Sequence, residues 1–294
     1  MYKIISRTQL ASNIFQMDIE APRVASSALP GQFVIVRLDK TGERIPLTIC
    51  DYDTEKGTVS IVVQVVGHST NKMSDYKQGD YIMDFAGPLG QPSEFVHEDL
   101  QELAKKRIMF IAGGLGTAPV YPQVKWLHSH GIKADVIIGS KTKDLLIMTD
   151  EMKAVAGNVY ITTDDGSEGA KGLVTTCLED LVVNQGKKYD TVVAIGPMIM
   201  MKFVCMLTQK LNIPTIVSLN TLMVDGTGMC GACRVTVGGE IRFACVDGPE
   251  FDGHKVDFDE AMRRQAMYKG PEGQRLFNEQ LKAGIETGGK CKTV

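Results

Sequence analysis

Long hydrophobic runs are missing from this sequence of 294 residues. No window of about 20 apolar residues occurs, so we expect no membrane span. The first residues, MYKIISRTQL, lack the apolar stretch that a secretory signal requires. Long basic runs are missing too, and the formal net charge of −3 argues against a nucleic-acid partner. These absences predict a cytoplasmic protein that neither spans a membrane nor binds nucleic acid.

Internal repeats and low-complexity segments are also absent. Apolar residues make up 44% of the chain, and Gly and Pro are not in excess, so at least one sizeable core can be buried. The length predicts about two domains, with room for an extra module.

The first hundred residues carry a β pattern. Short runs rich in Val, Ile and Phe, such as GQFVIVRL and GTVSIVVQVVG, are separated by Gly, Asp and Pro, which favours a small barrel or sandwich. From residue 108, apolar runs such as IMFIA and DTVVAIG alternate with helical stretches, which is typical of a doubly wound α/β domain with a parallel sheet. We therefore divide the chain into residues 1–100, 101–220 and 221–294.

Three of the seven cysteines lie close together in VDGTGMCGACRVTVGGEIRFAC (224–245). Cys230 and Cys233 have the C-x2-C spacing, and Cys245 follows after a predicted hairpin that turns at Gly238 and Gly239. Clustered cysteines in the cytoplasm are more often metal ligands than disulfides. Glycine between them lets the backbone wrap closely around a cluster. The segment therefore predicts a metal site.

The spacing of the cysteine motif predicts the position of a fourth metal ligand. Plant-type [2Fe–2S] sites have C-x4-C-x2-C and a distant fourth cysteine, and the x4 position before Cys230 is Asp225. A carboxylate can bind iron, so a [2Fe–2S] cluster held by Asp225 and three cysteines is the first hypothesis. A three-cysteine zinc site, or Asp225 acting only as a turn residue, are the alternatives. The remaining cysteines have no partner at metal spacing, and we expect them to be buried apolar residues, except for an exposed Cys291. They are Cys50, Cys177, Cys205 and Cys291.

A glycine-rich loop, IAGGLGTAP (111–119), lies between a predicted strand and a predicted helix. Backbone N–H groups at such a loop suit a phosphate, although a tight turn also needs glycine. The loop resembles the G-x-G-x-x-P loop of the ferredoxin–NADP reductase family. The resemblance implies that the barrel binds FAD and that the α/β domain binds a nicotinamide nucleotide. The loop residues it assigns to the nucleotide are Gly114, Gly116, Thr117 and Pro119.

The same resemblance assigns the segment ERIPLTICDY (43–52) to the flavin. It implies that Arg44 meets the FAD pyrophosphate and that the hydroxyl of Thr48, the predicted catalytic residue, lies near flavin N5. Pro46 and Leu47 belong to the same segment. The sequence departs from the family pattern in two ways: Leu47 replaces an aromatic ring, and Arg44 is one residue further from Thr48 than usual.

Further segments resemble the family's cofactor loops. VVGHSTNKM (65–73) and AGPLG (86–90) match in the barrel, although GHST also suits an ordinary turn. GSKTKDLL (139–146) is similar to NAD-linked relatives, which favours NAD(H) over NADP(H), whereas contact of its lysine with a 2′-phosphate would favour NADP(H). The loops TTDDGS and GPM complete the nucleotide site. Together these segments assign to the cofactors Gly67, Ser69, Thr70, Lys141, Asp164, Gly196, Pro197 and Met198.

A cluster motif after the nucleotide domain resembles the small subunits of electron-bifurcating NADH-dependent reduced ferredoxin:NADP oxidoreductases, also named sulfide dehydrogenase small subunits. Electron-transfer subunits of dihydroorotate dehydrogenase are related, but they use four cysteines. The resemblance implies a redox enzyme subunit with FAD, a [2Fe–2S] cluster and NAD(H). Its partner is a larger flavin and [4Fe–4S] subunit, through which ferredoxin reacts. The segment DFDEAMRRQAMY and the residues after it are expected to help dock that subunit, or else to pack on the nucleotide domain.

Two further alternatives remain open from the sequence. In the first alternative, the chain is a stand-alone NADH–acceptor reductase. In the second, it is a nucleotide-binding module that is stabilised by zinc and has no redox activity.

Overall fold

The computed structural model describes residues 1–265. Its strands are β1 (Tyr2–Ala11), β2 (Ile14–Glu20), β3 (Phe33–Arg37), β4 (Ile45–Asp53), β5 (Thr58–Gln64), β6 (Tyr81–Ile82), β7 (Asp84–Leu89), β8 (Ile108–Gly113), β9 (Asp135–Ser140), β10 (Val159–Thr163), β11 (Ala170–Lys171), β12 (Thr191–Ile195), β13 (Thr215–Ser218), β14 (Arg234–Val237), β15 (Glu240–Phe243) and β16 (Glu250–Asp252). Its helices are α1 (Pro22–Ala25), α2 (His68–Ser74), α3 (Leu100–Leu103), α4 (Thr117–Ser129), α5 (Thr149–Val155), α6 (Val174–Glu179), α7 (Met198–Lys210) and α8 (Phe258–Gln265).

The first seven strands form a nearly closed antiparallel barrel in the order β6-β1-β2-β5-β4-β3-β7. Side chains alternate along these strands, and the inward ones build a core that includes Phe15, Val34, Ile61 and Phe85. The apolar runs of the sequence correspond to β2, β3 and β5, so the predicted barrel is confirmed. The strands β1 and β4 carry fewer buried positions and were less evident from the sequence.

The second domain has the predicted α/β architecture. Its sheet has the order β11-β10-β9-β8-β12-β13-β16, and the strands from β10 to β13 are parallel. All six residues of β8 are buried, which explains the continuous apolar run. Since β8 pairs with β9 on one side and β12 on the other, the strand order reverses there, at the carboxyl edge where α/β proteins bind ligands.

The third segment is joined to the second domain rather than separate from it. Strands β14 and β15 form the predicted hairpin, which turns at Gly238 and Gly239, both at positive φ. Strand β16 then pairs antiparallel with β13 and extends the nucleotide-domain sheet. Helix α8 follows, with Phe258 and Ala261 buried in the core that contains α7. The described part of the predicted docking segment therefore packs on its own chain, while residues 266–294, including Cys291, lie outside the described residues.

Two local features are not evident from simple sequence patterns. The segment EDLQELAKKR contains the single helical turn α3, which begins where the Asp99 carboxylate accepts N–H bonds from Gln101 and Glu102. Helix α4 begins at Thr117 and continues through Pro122, which lies inside it. Among residues 1–265, no helix has the length and apolar character needed to cross a bilayer.

Candidate functional site

Two of the three clustered cysteines meet in the folded chain. The Sγ atoms of Cys233 and Cys245 lie 3.2 Å apart, too far for a disulfide, and both residues are buried. Burial, together with the neighbouring Cys233 thiol, raises the pKa of Cys245 to about 12. Cys230 is exposed instead. Within residues 1–265, no three His, Cys, Asp or Glu side chains converge closely enough to bind a metal as they stand.

The second pair of proposed ligands is linked through the backbone. One carboxylate oxygen of Asp225 accepts the N–H of Thr227, and the other accepts the N–H of Cys230, each at 2.8 Å. These N–H groups lower the pKa of Asp225. The loop between the two ligands turns through Gly226 and Gly228, both at positive φ.

The donor set fits a [2Fe–2S] cluster. Cys233 and Cys245 supply two thiols side by side, and Asp225 and Cys230 supply an acidic oxygen and an exposed thiol from one glycine-rich loop. Each pair offers two donors, which is the number that one iron of a two-iron core requires from the protein.

The cysteine pair packs directly on the barrel. Phe33 and Ile35 of β3 share one apolar cluster with Cys233, Cys245 and their neighbours. A Cβ added to Gly226 would lie 2.8 Å from Leu89 Cδ1, so the loop also approaches β7 as closely as glycine allows.

The predicted flavin residues lie one strand away from the cysteines. Thr48, Leu47 and Pro46 are on β4 and pair with Phe33, Val34 and Ile35 of β3 in turn. All three flavin-segment residues are half-buried. Because Phe33 contacts the cysteine cluster and faces Thr48 across the ladder, a single strand separates the predicted flavin hydroxyl from Cys233 and Cys245.

Arg44 lies just before β4 and contacts the cluster loop. Its Nε donates to the Val224 carbonyl at 2.7 Å, and its Nη2 donates to the Asp225 carbonyl at 3.2 Å. The neighbouring Glu43 accepts a hydrogen bond from Ser69, at the start of α2. Thr70 caps the same helix: its hydroxyl accepts the N–H groups of Val66 and Gly67, each at 3.0 Å. The segment GHST is therefore the start of a helix, and it lies beside the flavin segment.

The glycine loop joins β8 to α4, as the sequence predicts. Gly114 has a φ of +54°, and the buried Thr117 donates to the Gly114 carbonyl at 3.0 Å. A Cβ on Gly116 would lie 2.1 Å from the carbonyl oxygen of Ile195. Glycine at this position therefore lets the loop approach the end of β12. Pro119 follows within the first turn of α4.

The other nucleotide residues lie at the same edge of the sheet. Lys141 follows β9 and Asp164 follows β10, and both are exposed. Gly196, Pro197 and the buried Met198 join β12 to α7. The structure thus brings the predicted loops together at the carboxyl ends of four adjacent strands.

The barrel and the nucleotide domain are in direct contact. Lys125 of α4 pairs with Asp51 of β4 at 2.7 Å. Cys50 of β4 shares an apolar cluster with Leu115 and Ala118 of the glycine loop and α4. The flavin strand and the glycine loop are therefore neighbours.

Two family models match the chain. Residues 2–93 match an oxidoreductase FAD-binding domain, and residues 220–257 match the iron–sulfur cluster binding domain of dihydroorotate dehydrogenase B. A Thermotoga maritima protein named dihydroorotate dehydrogenase B (NAD(+)), electron transfer subunit homolog is 46% identical over 92% of each chain. A Methanocaldococcus jannaschii protein named as a probable electron transfer subunit of the same enzyme is 34% identical, covering 84% of this chain and 88% of its own. The chain belongs to the family of dihydroorotate dehydrogenase B electron-transfer subunits.

A solved structure is also similar over nearly the whole chain. It comes from a study of flavin-based electron bifurcation by NADH-dependent reduced ferredoxin-NADP oxidoreductase. The two chains are 44% identical with a TM-score of 0.87, and the match covers 96% of this chain and 98% of the other.

The family membership confirms the cofactors expected from the sequence. This member is a redox flavoprotein subunit with an FAD domain and an iron–sulfur domain, and NAD(H) agrees with the reductase match. The iron–sulfur interpretation of the cysteine segment is confirmed over the zinc site. The identities of the ligands and of the flavin and nucleotide contacts stay predictions.

Sequence reasoning missed one buried group. The carboxyl of Glu250 on β16 accepts hydrogen bonds from Ser93 and Gln123, which are fully buried. Glu250 lies in the segment FACVDGPEFDGH, but no spacing or motif in the sequence links it to Ser93 or Gln123.

Proposed function

We propose that this chain is the electron-transfer subunit of an electron-bifurcating NADH-dependent reduced ferredoxin:NADP oxidoreductase. It passes electrons between a [2Fe–2S] cluster, FAD and NAD(H). The observation that carries the proposal is the apolar cluster that Cys233 and Cys245 share with Phe33, whose ladder partner is Thr48. Electron transfer between a cluster and a flavin needs such proximity.

Each part of the chain has a role in this function. Bound FAD exchanges a hydride with nicotinamide and single electrons with an iron–sulfur centre. The Thr48 hydroxyl would supply a hydrogen bond to the bound flavin near N5. The loop from Gly114 to Thr117 holds the nucleotide diphosphate with backbone N–H groups at the start of α4. Asp225, Cys230, Cys233 and Cys245 bind the two irons.

The partner is a larger flavin and [4Fe–4S] subunit, and ferredoxin reacts through it. NAD(H) is favoured over NADP(H), because GSKTKDLL resembles NAD-linked relatives. The complex is placed in the cytoplasm, where its cysteines remain available to iron. Similarity to the solved reductase, at 44% identity over 96% of the chain, supports this assembly.

A second candidate is the electron-transfer subunit of a dihydroorotate dehydrogenase. The names of the Thermotoga and Methanocaldococcus relatives favour it. The position of Asp225 favours the first candidate, because the dihydroorotate relatives are expected to have a cysteine there.

The two candidate functions are distinguished by purifying the chain together with its larger subunit and assaying the complex. The first candidate predicts NADP+ reduction that requires both NADH and reduced ferredoxin. Dihydroorotate-dependent reduction of NAD+ by the complex supports the second candidate and contradicts the first. Full NADH–acceptor turnover by the chain alone, with no larger subunit recovered, points to a stand-alone reductase.

A further inference from the structure

Arg44 is tied to the cluster loop and not to an acidic side chain. Among the described residues it has no carboxylate within ion-pair distance. Its two hydrogen bonds instead go to consecutive backbone carbonyls, at Val224 and Asp225, which are 180 residues away in the sequence. Within the described residues, no carboxylate partner therefore offsets the positive guanidinium beside the loop that carries two proposed iron ligands.

Arg44 is connected to the proposed iron ligands Asp225 and Cys230 through two hydrogen-bonded contacts. The backbone that Arg44 holds belongs to Asp225, whose carboxylate binds the N–H of Cys230. Gly226, the next residue, is pressed against Leu89 of the barrel. Arg44 and Leu89 thus fix the loop against the barrel from two positions, and a shift of Arg44 moves Asp225 and Cys230 together.

Glu43 and Arg44 contact different segments of the chain. Glu43 contacts Ser69 of the GHST segment, whereas Arg44 contacts the cluster loop. Arg44 is also the residue whose spacing to Thr48 departs from the family pattern, so the sequence and the contacts agree that its role differs here.

We propose that Arg44 is a positioning residue for the iron–sulfur cluster, which holds the Val224–Asp225 backbone on the flavin barrel and favours the reduced cluster through its charge. A cluster becomes more negative on reduction, so a nearby unpaired cation stabilises the reduced form and raises the midpoint potential. The proposal needs only the FAD and cluster of the family. It therefore stands or fails independently of which complex the chain serves.

The test uses the full-length chain purified anaerobically with its cofactors. Arg44→Gln removes the charge, and Arg44→Lys keeps the charge but loses the two-carbonyl contact. Arg37→Gln is the matched control, because Arg37 is a barrel arginine that pairs with Asp84, away from the cluster loop. FAD content, iron content, the EPR spectrum of the reduced cluster and its midpoint potential are measured for each protein.

We expect Arg44→Gln to retain FAD, to shift the cluster potential to more negative values and to alter its g-values. Arg44→Lys is expected to restore the potential toward that of the parent protein while its g-values remain altered, and Arg37→Gln to match the parent throughout. If Arg44→Gln does not accumulate, the lysine variant decides through its EPR spectrum. Loss of FAD with an unaltered cluster spectrum and potential in either variant overturns the proposal and returns Arg44 to the FAD pyrophosphate.

Discussion

Gln123 of α4 donates a hydrogen bond of 2.8 Å from Nε2 to Oε1 of Glu250 on β16. Ser93, at the end of the barrel, donates to the same oxygen at 2.9 Å. One carboxyl group therefore connects the barrel, the helix after the glycine loop and the strand that follows the cluster segment. Burial raises the pKa of Glu250 from its usual 4.5 to about 7, although both hydrogen bonds favour the charged form.

This carboxyl predicts a pH dependence of stability. Because the folded chain holds the proton more tightly than the unfolded chain, the stabilisation is complete below about pH 4.5 and is lost as pH rises toward 7. Glu250→Gln keeps an oxygen that accepts both bonds and cannot ionise. We expect it to be more stable than the parent above pH 7, by up to about 3 kcal/mol, and to differ little below about pH 4.5. Urea unfolding across this range measures the difference. A constant difference between the two proteins at all pH values would contradict the ionisation of Glu250.

The barrel and the parallel sheet were predictable because their strands carry strong local patterns. The fully buried strand β8 corresponds to a continuous apolar run in the sequence, and the Gly238–Gly239 pair predicts the hairpin of β14 and β15. The iron–sulfur segment was predictable because its proposed ligands lie within 21 residues of one another, so their spacing indicates the chemistry.

Contacts between distant segments were not predictable. Arg44 and Val224 are joined by a hydrogen bond across 180 residues, and Glu250 meets Gln123 across 127. Nothing in the local pattern of either segment records these pairings, since they arise only when the three parts of the chain pack together. The pairing of β16 with β13, which extends the nucleotide-domain sheet, is another contact of this kind.

Substitution of Gly116 by alanine is expected to disturb the packing of the glycine loop. Its φ of −59° suits any residue, so alanine is not strained there, but its Cβ would lie 2.1 Å from the Ile195 carbonyl oxygen. Backbone on both sides must move, and we expect Gly116→Ala to cost about 1–3 kcal/mol of unfolding free energy and to weaken NADH binding. Gly42→Ala is the control, since Gly42 is not among the predicted cofactor residues and the nearest atom to its added Cβ is Asp39 N at 3.3 Å. Thermal unfolding and NADH titration compare the two, and equal effects would remove the close approach as the cause.

Thr48 predicts a change in flavin reduction. If its hydroxyl bonds the flavin near N5, Thr48→Val loses one neutral hydrogen bond while its shape is kept. That bond is worth about 0.5–1.5 kcal/mol, so hydride transfer should slow by roughly 2- to 15-fold with FAD still bound. Thr48→Ser keeps the hydroxyl and should retain the parent rate. Stopped-flow reduction by NADH measures both variants, and a parent rate in Thr48→Val places the hydroxyl elsewhere.

Truncation of the C-terminal residues tests whether they bind the larger subunit. Phe258 and Ala261 of α8 are buried, and Lys202 of α7 pairs with Asp259 at 2.7 Å, so α8 is part of the chain's own core. Truncation after Gly253 is therefore expected to destabilise the chain itself. Truncation after Gln265 keeps α8 and the contacts that place it in this core. We expect it to weaken the complex with the larger subunit, as measured by calorimetry. An equally tight complex would mean that residues 266–294 do not dock the partner.

Asp225 gives the sharpest prediction, because its carboxylate has two separable roles. It accepts two backbone N–H groups that shape the loop, and it is the proposed fourth iron ligand. Asp225→Asn keeps one oxygen, and so one of the two loop hydrogen bonds, but is a poorer, neutral donor to iron. Asp225→Cys supplies a thiolate at the x4 spacing that plant-type sites use.

We expect Asp225→Cys to retain two irons with altered g-values and midpoint potential, because sulfur donates more covalently to iron than oxygen does. Asp225→Asn and Asp225→Ala should lose iron, the alanine variant more completely because the loop bonds are lost as well. FAD should stay bound in all three, since no barrel residue changes. Iron content and EPR distinguish the two roles: if Asp225→Asn keeps a full cluster with the parent g-values, the carboxylate serves the loop alone and iron has another fourth ligand.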